Sequence, residues 1–443
     1  MIKIYDLDEA KETILDRKPV LEVEVSEGMQ AGMVRIFGKP LTPREAVQQI
    51  LNSIQTEGDT ACKRWTKVID RVELDQLLVP AASIEAAVER VPAELYAALE
   101  KAAGRIRAFH SRQPVASWTT SDLGGILGQR VTPIQRVGIY VPGGTAPLPS
   151  SLLMSVIPAQ VAGVQEIVVA TPPGPNGHDI PDVILAAAHI AGVKQIVTLG
   201  GAQAIGALAF GAGEVPAVDK IFGAGNLFVT LAKREVFGIV GIDGLYGPTE
   251  TVVVADESAN AAWVAADLLA QAEHDVLATA ILLTPSKAVA EAVQIEVGKQ
   301  LEELSRPEII TQALAGQGGI VMTGSMEEAC ALASSFAAEH TCIASENPEP
   351  YVDLIPNAGG LFIGERSFEV LGDYVAGPSH VMPTGRTARF ASPLNVLDFV
   401  KISSIIQLDD ATSAELSPIA AAIAEAEALT AHAAAAVKRV SDL

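Results

Sequence analysis

The chain has 443 residues, more than one hydrophobic core usually serves, so the sequence predicts two or more domains. Hydrophobic residues make up 49% and charged residues 19%, a balance typical of a well-packed globular protein and not of a disordered one. The formal net charge of −22 argues against a phosphate-backbone partner, which requires basic patches, and is compatible with a neutral or cationic small-molecule substrate.

Residues 1–30 are interpreted as a short strand or helix pair outside the main core. The first six residues contain no apolar segment of the kind found in signal peptides. No run of about 18 apolar residues occurs, so no membrane-spanning helix is predicted. Cys62, Cys330 and Cys342 form neither a CxxC pair nor a disulfide framework. We therefore expect a cytoplasmic protein with no membrane and no nucleic-acid partner.

Residues 42–107 have a helical pattern. Thr-Pro-Arg-Glu at 42–45 is typical of a helix start, with Thr as the cap, Pro as the first helical residue and Glu as the third. The segments 84–88 and 96–109 repeat apolar residues at spacings of three and four. This part of the chain predicts helices that pack against one another.

An alternation of strand-like and helix-like segments begins at Arg136 and runs to about residue 250, then starts again at Thr251. Such alternation predicts mostly parallel sheets covered by helices. Because the two blocks are similar in size, we expect an α/β fold with two tandem, incomplete Rossmann-like (doubly wound) domains related by duplication. Small N-terminal and C-terminal helical segments are expected to flank them.

Three glycine turns follow predicted strands, at residues 142–151, 200–203 and 223–226. Glycine lets backbone N–H groups approach a ligand, and a helix N-terminus favours a phosphate. None of the turns has the GxGxxG or Walker A pattern, so a simple tight turn is an equal alternative for each one alone. Since open α/β sheets bind ligands at the carboxyl ends of their strands, the three together predict a dinucleotide or similar cleft.

Two Ala-Glu-His triplets, at 272–274 and 338–340, end helix-like segments and lead into strand-like ones. Gln271 lies three residues before His274, so on a helix the two side chains share one face. Imidazole and carboxylate groups at matching points of two βα units can supply metal ligands and proton-transfer groups. For each pair alone, the alternative is a His that stabilises a helix C-terminus. The repetition favours the functional interpretation.

Further polar residues follow late in the chain. Glu369, Asp373 and His380 lie in one segment, and His432 lies on an Ala-rich, helix-like segment at 420–440. A set of Gln, His, Asp and His suits a zinc ion with an open position for substrate, although spacing alone leaves this set open. The Ala-rich segment has few large side chains and is expected to be a docking or dimer-contact arm.

From about residue 30 to the C-terminus, the chain resembles the histidinol dehydrogenase family. The resemblance rests on motifs in the family's order, at residues 140–151, 200–210, 223–233, 271–274, 339–340, 372–384 and 429–432. It implies an enzyme of the histidine pathway that oxidises L-histidinol through the aldehyde to L-histidine with two NAD⁺. It also implies a homodimer with one zinc ion per subunit.

The resemblance implies individual roles as well. Glu339 and His340 correspond to the catalytic pair, with His340 as the general base and Glu339 activating water. The zinc ligands correspond to Gln271, His274, Asp373 and His432, and the NAD contacts to Tyr140, Gln203 and Asn226. The substrate contacts correspond to Ser150, Thr249, Gln271, His274, Glu369, Asp373, His380, Glu427 and His432. Glu427 and His432 are expected to reach the partner subunit's site through a swapped C-terminal arm.

The expected domains follow from these assignments. They are an N-terminal segment (1–30), a first α/β domain with a helical N-terminal part and the metal and catalytic residues (31–138 plus 251–394), an NAD-binding second α/β domain (139–250), and a C-terminal dimer-contact arm (395–443).

Four alternative functions were considered. Thr249 stands where the family has Ser, so a related dehydrogenase of another small primary alcohol, such as a sulfopropanediol, is the first. Cys342, two residues after His340, suggests a cysteine-dependent aldehyde dehydrogenase, although its strand-like neighbours predict a buried thiol. A zinc hydrolase uses the same groups without a nicotinamide. A non-catalytic binding protein is disfavoured, because Glu339, His340 and all four residues matching zinc ligands are present.

Overall fold

The structure is a computed structural model that describes residues 2–16, 26–143, 147–174 and 180–440. These residues form strands β1 (Ile4–Tyr5), β2 (Trp118–Thr120), β3 (Ile126–Pro133), β4 (Arg136–Tyr140), β5 (Glu166–Thr171), β6 (Gln195–Thr198), β7 (Lys220–Phe222), β8 (Gly241–Ile242), β9 (Glu250–Ala255), β10 (Thr279–Thr284), β11 (Gly318–Met322), β12 (His340–Ala344), β13 (Gly360–Ile363) and β14 (Val400–Gln407).

The helices are α1 (Leu7–Glu12), α2 (Glu27–Phe37), α3 (Pro43–Glu57), α4 (Asp59–Ile69), α5 (Ala81–Arg90), α6 (Ala93–His110), α7 (Pro149–Val161), α8 (Asp182–Ile190), α9 (Gly201–Phe210), α10 (Leu227–Val236), α11 (Ala261–Ala272), α12 (Lys287–Leu301), α13 (Pro307–Gln317), α14 (Met326–Phe336), α15 (Glu349–Val352), α16 (Glu369–Tyr374), α17 (Asp410–Ala426) and α18 (Thr430–Val440). None of the helices described is long and apolar enough to cross a bilayer.

Two parallel sheets confirm the predicted α/β fold. The five-stranded sheet has the order β6-β5-β4-β7-β8, and the six-stranded sheet has the order β1-β11-β10-β9-β12-β13. Counted from the first strand of each block, both follow the order 3-2-1-4-5, which is the doubly wound arrangement. The repeated order supports the interpretation that the two blocks arose by duplication. In each sheet the direction of winding reverses between strands 1 and 4, where such folds bind ligands.

The N-terminal segment differs from the prediction. Instead of lying outside the main core, β1 pairs in parallel with β11 at the edge of the six-stranded sheet. Ile2 and Tyr5 are buried there. Gly319 on β11 makes room for the Tyr5 ring, since a Cβ at that position would lie 2.6 Å from Tyr5 Cε2. Two residues are too few to show an alternation of buried and exposed side chains, so the place of this strand in the core could not be predicted from the sequence.

The predicted helix start at residues 42–45 is confirmed. The Thr42 hydroxyl accepts a hydrogen bond from the Glu45 N–H, and the Glu45 carboxylate accepts one from the Thr42 N–H. This capping box satisfies donors that the first turn of α3 would otherwise leave unpaired. After this start, α3 packs with α4 against α9 and α10 on one face of the five-stranded sheet.

The chain divides into two compact units. The first consists of Met1–Arg112 and Gln135–Asp398 and contains both parallel sheets, and the second consists of Gln113–Ile134 and Phe399–Leu443. The second unit has an antiparallel sheet, β14-β3-β2, and the pair of helices α17 and α18. The Ala-rich segment is therefore two helices, because Ala428 takes a left-handed conformation between them. The finer division at residues 31, 139, 251 and 395 stays a prediction.

Gly223, which follows β7, cannot carry a side chain without a change in the backbone. Its φ is +111°, and a Cβ would lie 2.1 Å from the carbonyl oxygen of Tyr140. Gly192 also has a positive φ, +66°, but open space surrounds it. Backbone strain alone costs about 1–2 kcal/mol, so Gly192→Ala should lose about that much stability. Gly223→Ala adds a clash with backbone and should lose more than about 3 kcal/mol.

Urea unfolding of both variants measures this difference. Equal losses in the free energy of unfolding would mean that the close approach of Gly223 to Tyr140 is not a constraint on the fold.

Candidate active site

One pocket of about 190 Å³ collects most of the residues predicted to act in the reaction. Tyr140 and Gly223 reach it from the carboxyl ends of β4 and β7 in the five-stranded sheet. Thr249, Glu339 and His340 reach it from the amino ends of β9 and β12 in the six-stranded sheet. The carboxyl-end rule used for the glycine turns therefore applies to one of the two sheets only.

The Glu339–His340 pair owes its position to a helix end and to strand register. Ala337 follows the last residue of α14 as its cap, and its left-handed φ of +52° turns the chain towards β12. His340 opens β12 opposite Thr251 of the parallel strand β9. The Glu339 Oε2 atom accepts hydrogen bonds from Thr249 Oγ1 at 2.6 Å and from the Glu250 N–H at 3.3 Å. Burial raises the pKa of Glu339 to about 7.

Three carboxylates surround the imidazole of His340, which is 3% exposed. Its Nδ1 atom lies 3.8 Å from Glu369 Oε1 and 4.0 Å from Glu339 Oε2, and its Nε2 atom lies 3.5 Å from Asp373 Oδ1. Burial by itself lowers the pKa of His340, but these carboxylates outweigh burial and raise that pKa to about 10. The arrangement therefore stabilises the imidazolium that forms when His340 accepts a proton.

Helix α16 supplies two of those carboxylates. Glu369 and Asp373 are four residues apart, which places both on one face of the helix. Asp373 lines the pocket, whereas Glu369 is 1% exposed and accepts a hydrogen bond from Thr251 behind the imidazole. Burial raises the pKa of Glu369 to about 7. Thr251, which was not predicted, became recognisable only through the register of β9 and β12.

Thr249 connects a predicted zinc ligand to a predicted catalytic residue. Its hydroxyl accepts a hydrogen bond from Gln271 Nε2 at 2.7 Å and donates one to Glu339 at 2.6 Å. Gln271 lies in the last turn of α11, and His274 lies two residues beyond the end of the helix, where its N–H donates to the Gln271 carbonyl at 3.3 Å. The two residues therefore span the end of the helix and do not both lie on it.

The described residues fit a zinc ion. Gln271 Oε1 is buried and has no hydrogen-bond partner among them, as expected of an oxygen meant for a ligand. His274 and Asp373, which line the pocket, add an imidazole nitrogen and a carboxylate oxygen. A second grouping is also close enough for a metal, because ligand atoms of His340, Glu369 and Asp373 lie within 4.8 Å of one another. The two groupings share Asp373.

His380 and Ser150 also line the pocket, as predicted for substrate contacts. His380 Nδ1 donates to the Asp373 carbonyl at 2.7 Å, so its Nε2 atom accepts from Ser151 Oγ at 3.1 Å. Burial lowers the pKa of His380, which favours this neutral form. Ser151 was not singled out from the sequence, although it adjoins Ser150 in the first turn of α7.

The three glycine turns follow β4, β6 and β7, as predicted, although residues 144–146 of the first turn lie outside the described residues. The Tyr140 hydroxyl accepts from the Gly201 N–H at 3.2 Å, and burial raises its pKa to about 12. Gln203 Nε2 donates to Asp70 at 3.0 Å, and the Asn226 side chain caps α10. Of the three residues predicted to contact NAD, Tyr140 lines the pocket.

Glu427, His432 and Cys342 are not among the residues that line the pocket. Glu427 follows α17 and His432 lies on α18, and both are exposed on the second compact unit. Cys342 on β12 is 5% exposed, and burial holds the pKa of its thiol well above the usual value. A buried, protonated thiol is a poor nucleophile, which disfavours a cysteine-dependent mechanism.

A larger cavity, of about 1340 Å³, lies elsewhere in the first unit, beside the carboxyl ends of β5 and β6. Its charged lining residues are Glu73, Asp75, Arg90 and Asp182. The chemistry that the sequence predicts is concentrated in the smaller pocket, because the catalytic pair and two of the predicted zinc ligands line it.

Comparisons with known proteins agree with this geometry. The family model described as histidinol dehydrogenase matches residues 40–440. A histidinol dehydrogenase from Dehalococcoides mccartyi strain CBDB1 is 49% identical over 399 residues, which are 90% of this chain and 91% of that protein. One from Deinococcus radiodurans is 47% identical over 421 residues, 95% of this chain and 96% of that protein.

The crystal structure of histidinol dehydrogenase from Elizabethkingia anophelis superposes with a TM-score of 0.91 at 35% identity, covering 100% of this chain and 98% of that one. The resemblance in the sequence motifs is thereby confirmed over nearly the whole chain: this protein, an oxidoreductase, belongs to the histidinol dehydrogenase family.

Proposed function

We propose that the protein oxidises L-histidinol through L-histidinaldehyde to L-histidine, with two NAD⁺ as hydride acceptors and one zinc ion per subunit. The observation that carries the proposal is the buried Glu339–His340 pair, which lies in one pocket with Asp373 and beside Glu369. Membership of the family supports the substrate.

His340 is the general base of the alcohol step. It removes the hydroxyl proton while the hydride leaves the same carbon, and proton transfer of this kind contributes about 10²–10⁴-fold to the rate. The surrounding carboxylates stabilise the imidazolium as it forms. A metal ion held by Asp373 would oppose that stabilisation and bring the pKa of His340 down towards neutrality.

Glu339 acts in the aldehyde step, which needs the hydrate of the aldehyde. Its carboxylate accepts a proton from water, and its pKa of about 7 suits an acceptor at neutral pH. Thr249 Oγ1 and the Glu250 N–H hold one carboxylate oxygen, Oε2. The other oxygen is thereby left for the water, so the orientation of Glu339 is fixed before substrate binds.

Gln271, His274, Asp373 and His432 of the partner subunit would hold the zinc ion. When bound, zinc positions the amine and imidazole nitrogens of the substrate, and NAD⁺ supplies the hydride acceptor. Tyr140, Gln203 and Asn226 are proposed to contact NAD⁺. Ser150, Thr249, Glu369, His380 and Glu427 of the partner subunit are proposed to contact or to orient the substrate.

We further propose a homodimer that completes each site. Support comes from the second compact unit, where Glu427 and His432 are exposed beside large apolar side chains. These exposed side chains are Ile402, Ile406, Leu416, Ile419, Ile423, Leu429 and Val437. Apolar exposure on this scale marks interaction surfaces. A cytoplasmic location is proposed from the three buried, free cysteines.

NADH formation by the zinc-loaded protein tests the proposed reaction. Two NADH per L-histidinol consumed are expected. If histidinol gave no NADH but another primary alcohol, such as a sulfopropanediol, were oxidised, the same residues would act on a different substrate. Hydrolysis without any nicotinamide requirement would replace the proposal by a zinc hydrolase.

Thr249 offers a sharp test of the link between Gln271 and Glu339. Thr249→Val removes the hydroxyl and keeps the size, so Glu339 loses a charge-assisted hydrogen bond of about 1.5–3 kcal/mol. The rate of aldehyde oxidation should fall about 10- to 100-fold. Thr249→Ser keeps the hydroxyl and should stay within about threefold of the parent. A loss in Thr249→Ser without a loss in Thr249→Val would assign the role to the methyl group instead.

A further inference from the structure

Lys233, on α10, is 1% exposed, a rare environment for a lysine. Its ammonium donates to the Asp243 carboxylate and, at 2.8 Å, to the carbonyl oxygen of Gly223. It also lies 4.8 Å from the centre of the Tyr246 ring. Since an unpaired buried charge is strongly unfavourable, the ammonium requires these partners, and they in turn are held by it.

Asp243 holds the same glycine from the other side. Its Oδ2 atom accepts from the Gly223 N–H at 2.7 Å, and its Oδ1 atom accepts from the Gly244 N–H at 2.8 Å. The N–H of Gly223 is thus fixed by the carboxylate, and its carbonyl oxygen by the ammonium. A glycine with φ of +111° has much freedom to lose, and the ion pair removes it.

The residues that this pair fixes line the pocket on the side of the five-stranded sheet. Gly223 and Ala224 line the pocket after β7, and Tyr246 lines it on the chain that returns towards β9. Helix α10, which carries Lys233, begins at the Asn226 cap. Thr230 on the same helix donates to the Tyr246 carbonyl at 2.9 Å. By contrast, His274, His340 and Asp373 are placed by the six-stranded sheet and its helices.

We propose that Lys233 and Asp243 are positioning residues for the dinucleotide: together they fix the Gly223 turn and the Tyr246 ring against which the cofactor binds. The inference rests on the proposed function, because it takes NAD as the ligand of this side of the pocket. The ion pair acts through Gly223 and Tyr246 and does not touch the reacting atoms.

The test measures binding of each ligand separately. Lys233→Met/Asp243→Asn removes both charges, so no unpaired charge remains buried, and Lys233→Met alone is the companion variant. Lys220→Met is the matched control, since Lys220 lies at the opposite end of β7 and its ammonium donates to the Asp398 carbonyl. The Kd of NADH is followed by fluorescence, the Kd of L-histidinol by calorimetry on zinc-loaded protein, and folding by circular dichroism.

In the double variant the Kd of NADH should rise about tenfold, which corresponds to one well-placed hydrogen bond, while the Kd of histidinol stays within about twofold. Lys220→Met should leave both constants unchanged. An unchanged Kd for NADH, or an equal rise in both constants, would overturn the inference in favour of a purely structural pair.

Failure of the proposed function is recognised independently. Parent protein that binds NADH but does not oxidise histidinol would overturn the reaction, and the NADH constants of the variants would still decide the role of Lys233. Parent protein that binds no NADH at all would overturn both.

Discussion

His340→Ala should reduce the rate of histidinol oxidation by about 10²–10⁴-fold, because the variant loses the base that removes the proton of the substrate hydroxyl. The three carboxylates that surround the imidazole would then have no imidazolium to stabilise. Glu339→Gln should behave differently. The amide keeps the shape of the side chain but cannot take a proton from water, so the alcohol step should proceed and the aldehyde step should stop.

The amount of NADH formed per histidinol distinguishes the two variants. In a single turnover with enzyme in excess, the parent should give two NADH per histidinol, Glu339→Gln about one, and His340→Ala almost none. His189→Asn is the control, because His189 is an exposed histidine whose ring contacts Tyr96 on the surface. His340→Ala retaining more than about a tenth of the parent rate would remove His340 from the role of base.

His274→Ala should weaken zinc binding by at least about 10- to 100-fold, which is the loss expected when a residue that only orients a metal ligand through a hydrogen bond is removed. His274 is solvent-exposed, so its truncation should leave the fold intact. In the parent, zinc at about 100 times its Kd should add about 2.7 kcal/mol to the free energy of unfolding, and a strong chelator should abolish both this gain and the activity.

Competition with a coloured chelator gives the zinc Kd, and unfolding with and without zinc gives the linked stability. Glu273→Gln is the matched control, since Glu273 lies between the two predicted ligands and is not itself among the residues proposed to hold zinc. The structure also offers a rival site: if His274→Ala kept its zinc affinity while His340→Ala lost it, the ion would belong to the His340, Glu369 and Asp373 grouping.

Local features of this protein were readable from the sequence. The capping box at Thr42, the three glycine turns and the alternation of strands and helices each depend on residues within a few positions of one another. Each is present among the residues that the structure describes, which leave out 144–146 of the first turn. Hydrogen bonds of helix ends and side-chain periodicity are short-range, so sequence neighbours suffice to specify them. A short strand was expected within residues 1–30, but its place in the core was not predicted, because two residues are too few to show a pattern of burial.

The candidate site was readable only in part. The sequence singled out Glu339, His340 and Asp373, through repeated triplets and through resemblance, and the structure places these three in one pocket. The supporting residues Thr251, Ser151 and Asp243 gave no signal of their own. Each acts by a hydrogen bond to a functional residue or turn distant in the chain, and no local pattern of residue types encodes such a bond.

The sequence by itself thus determined the chemical groups available, the local turns that present them and the α/β class. Tertiary structure decided which groups meet. Parallel pairing of β9 with β12 brings Thr249 to Glu339 across 90 residues, and the joining of one sheet's carboxyl edge to the other's amino edge forms the pocket. Strand register and the pairing of buried charges such as Lys233 with Asp243 are set by packing of the whole core, because they depend on contacts that form only once the chain is folded.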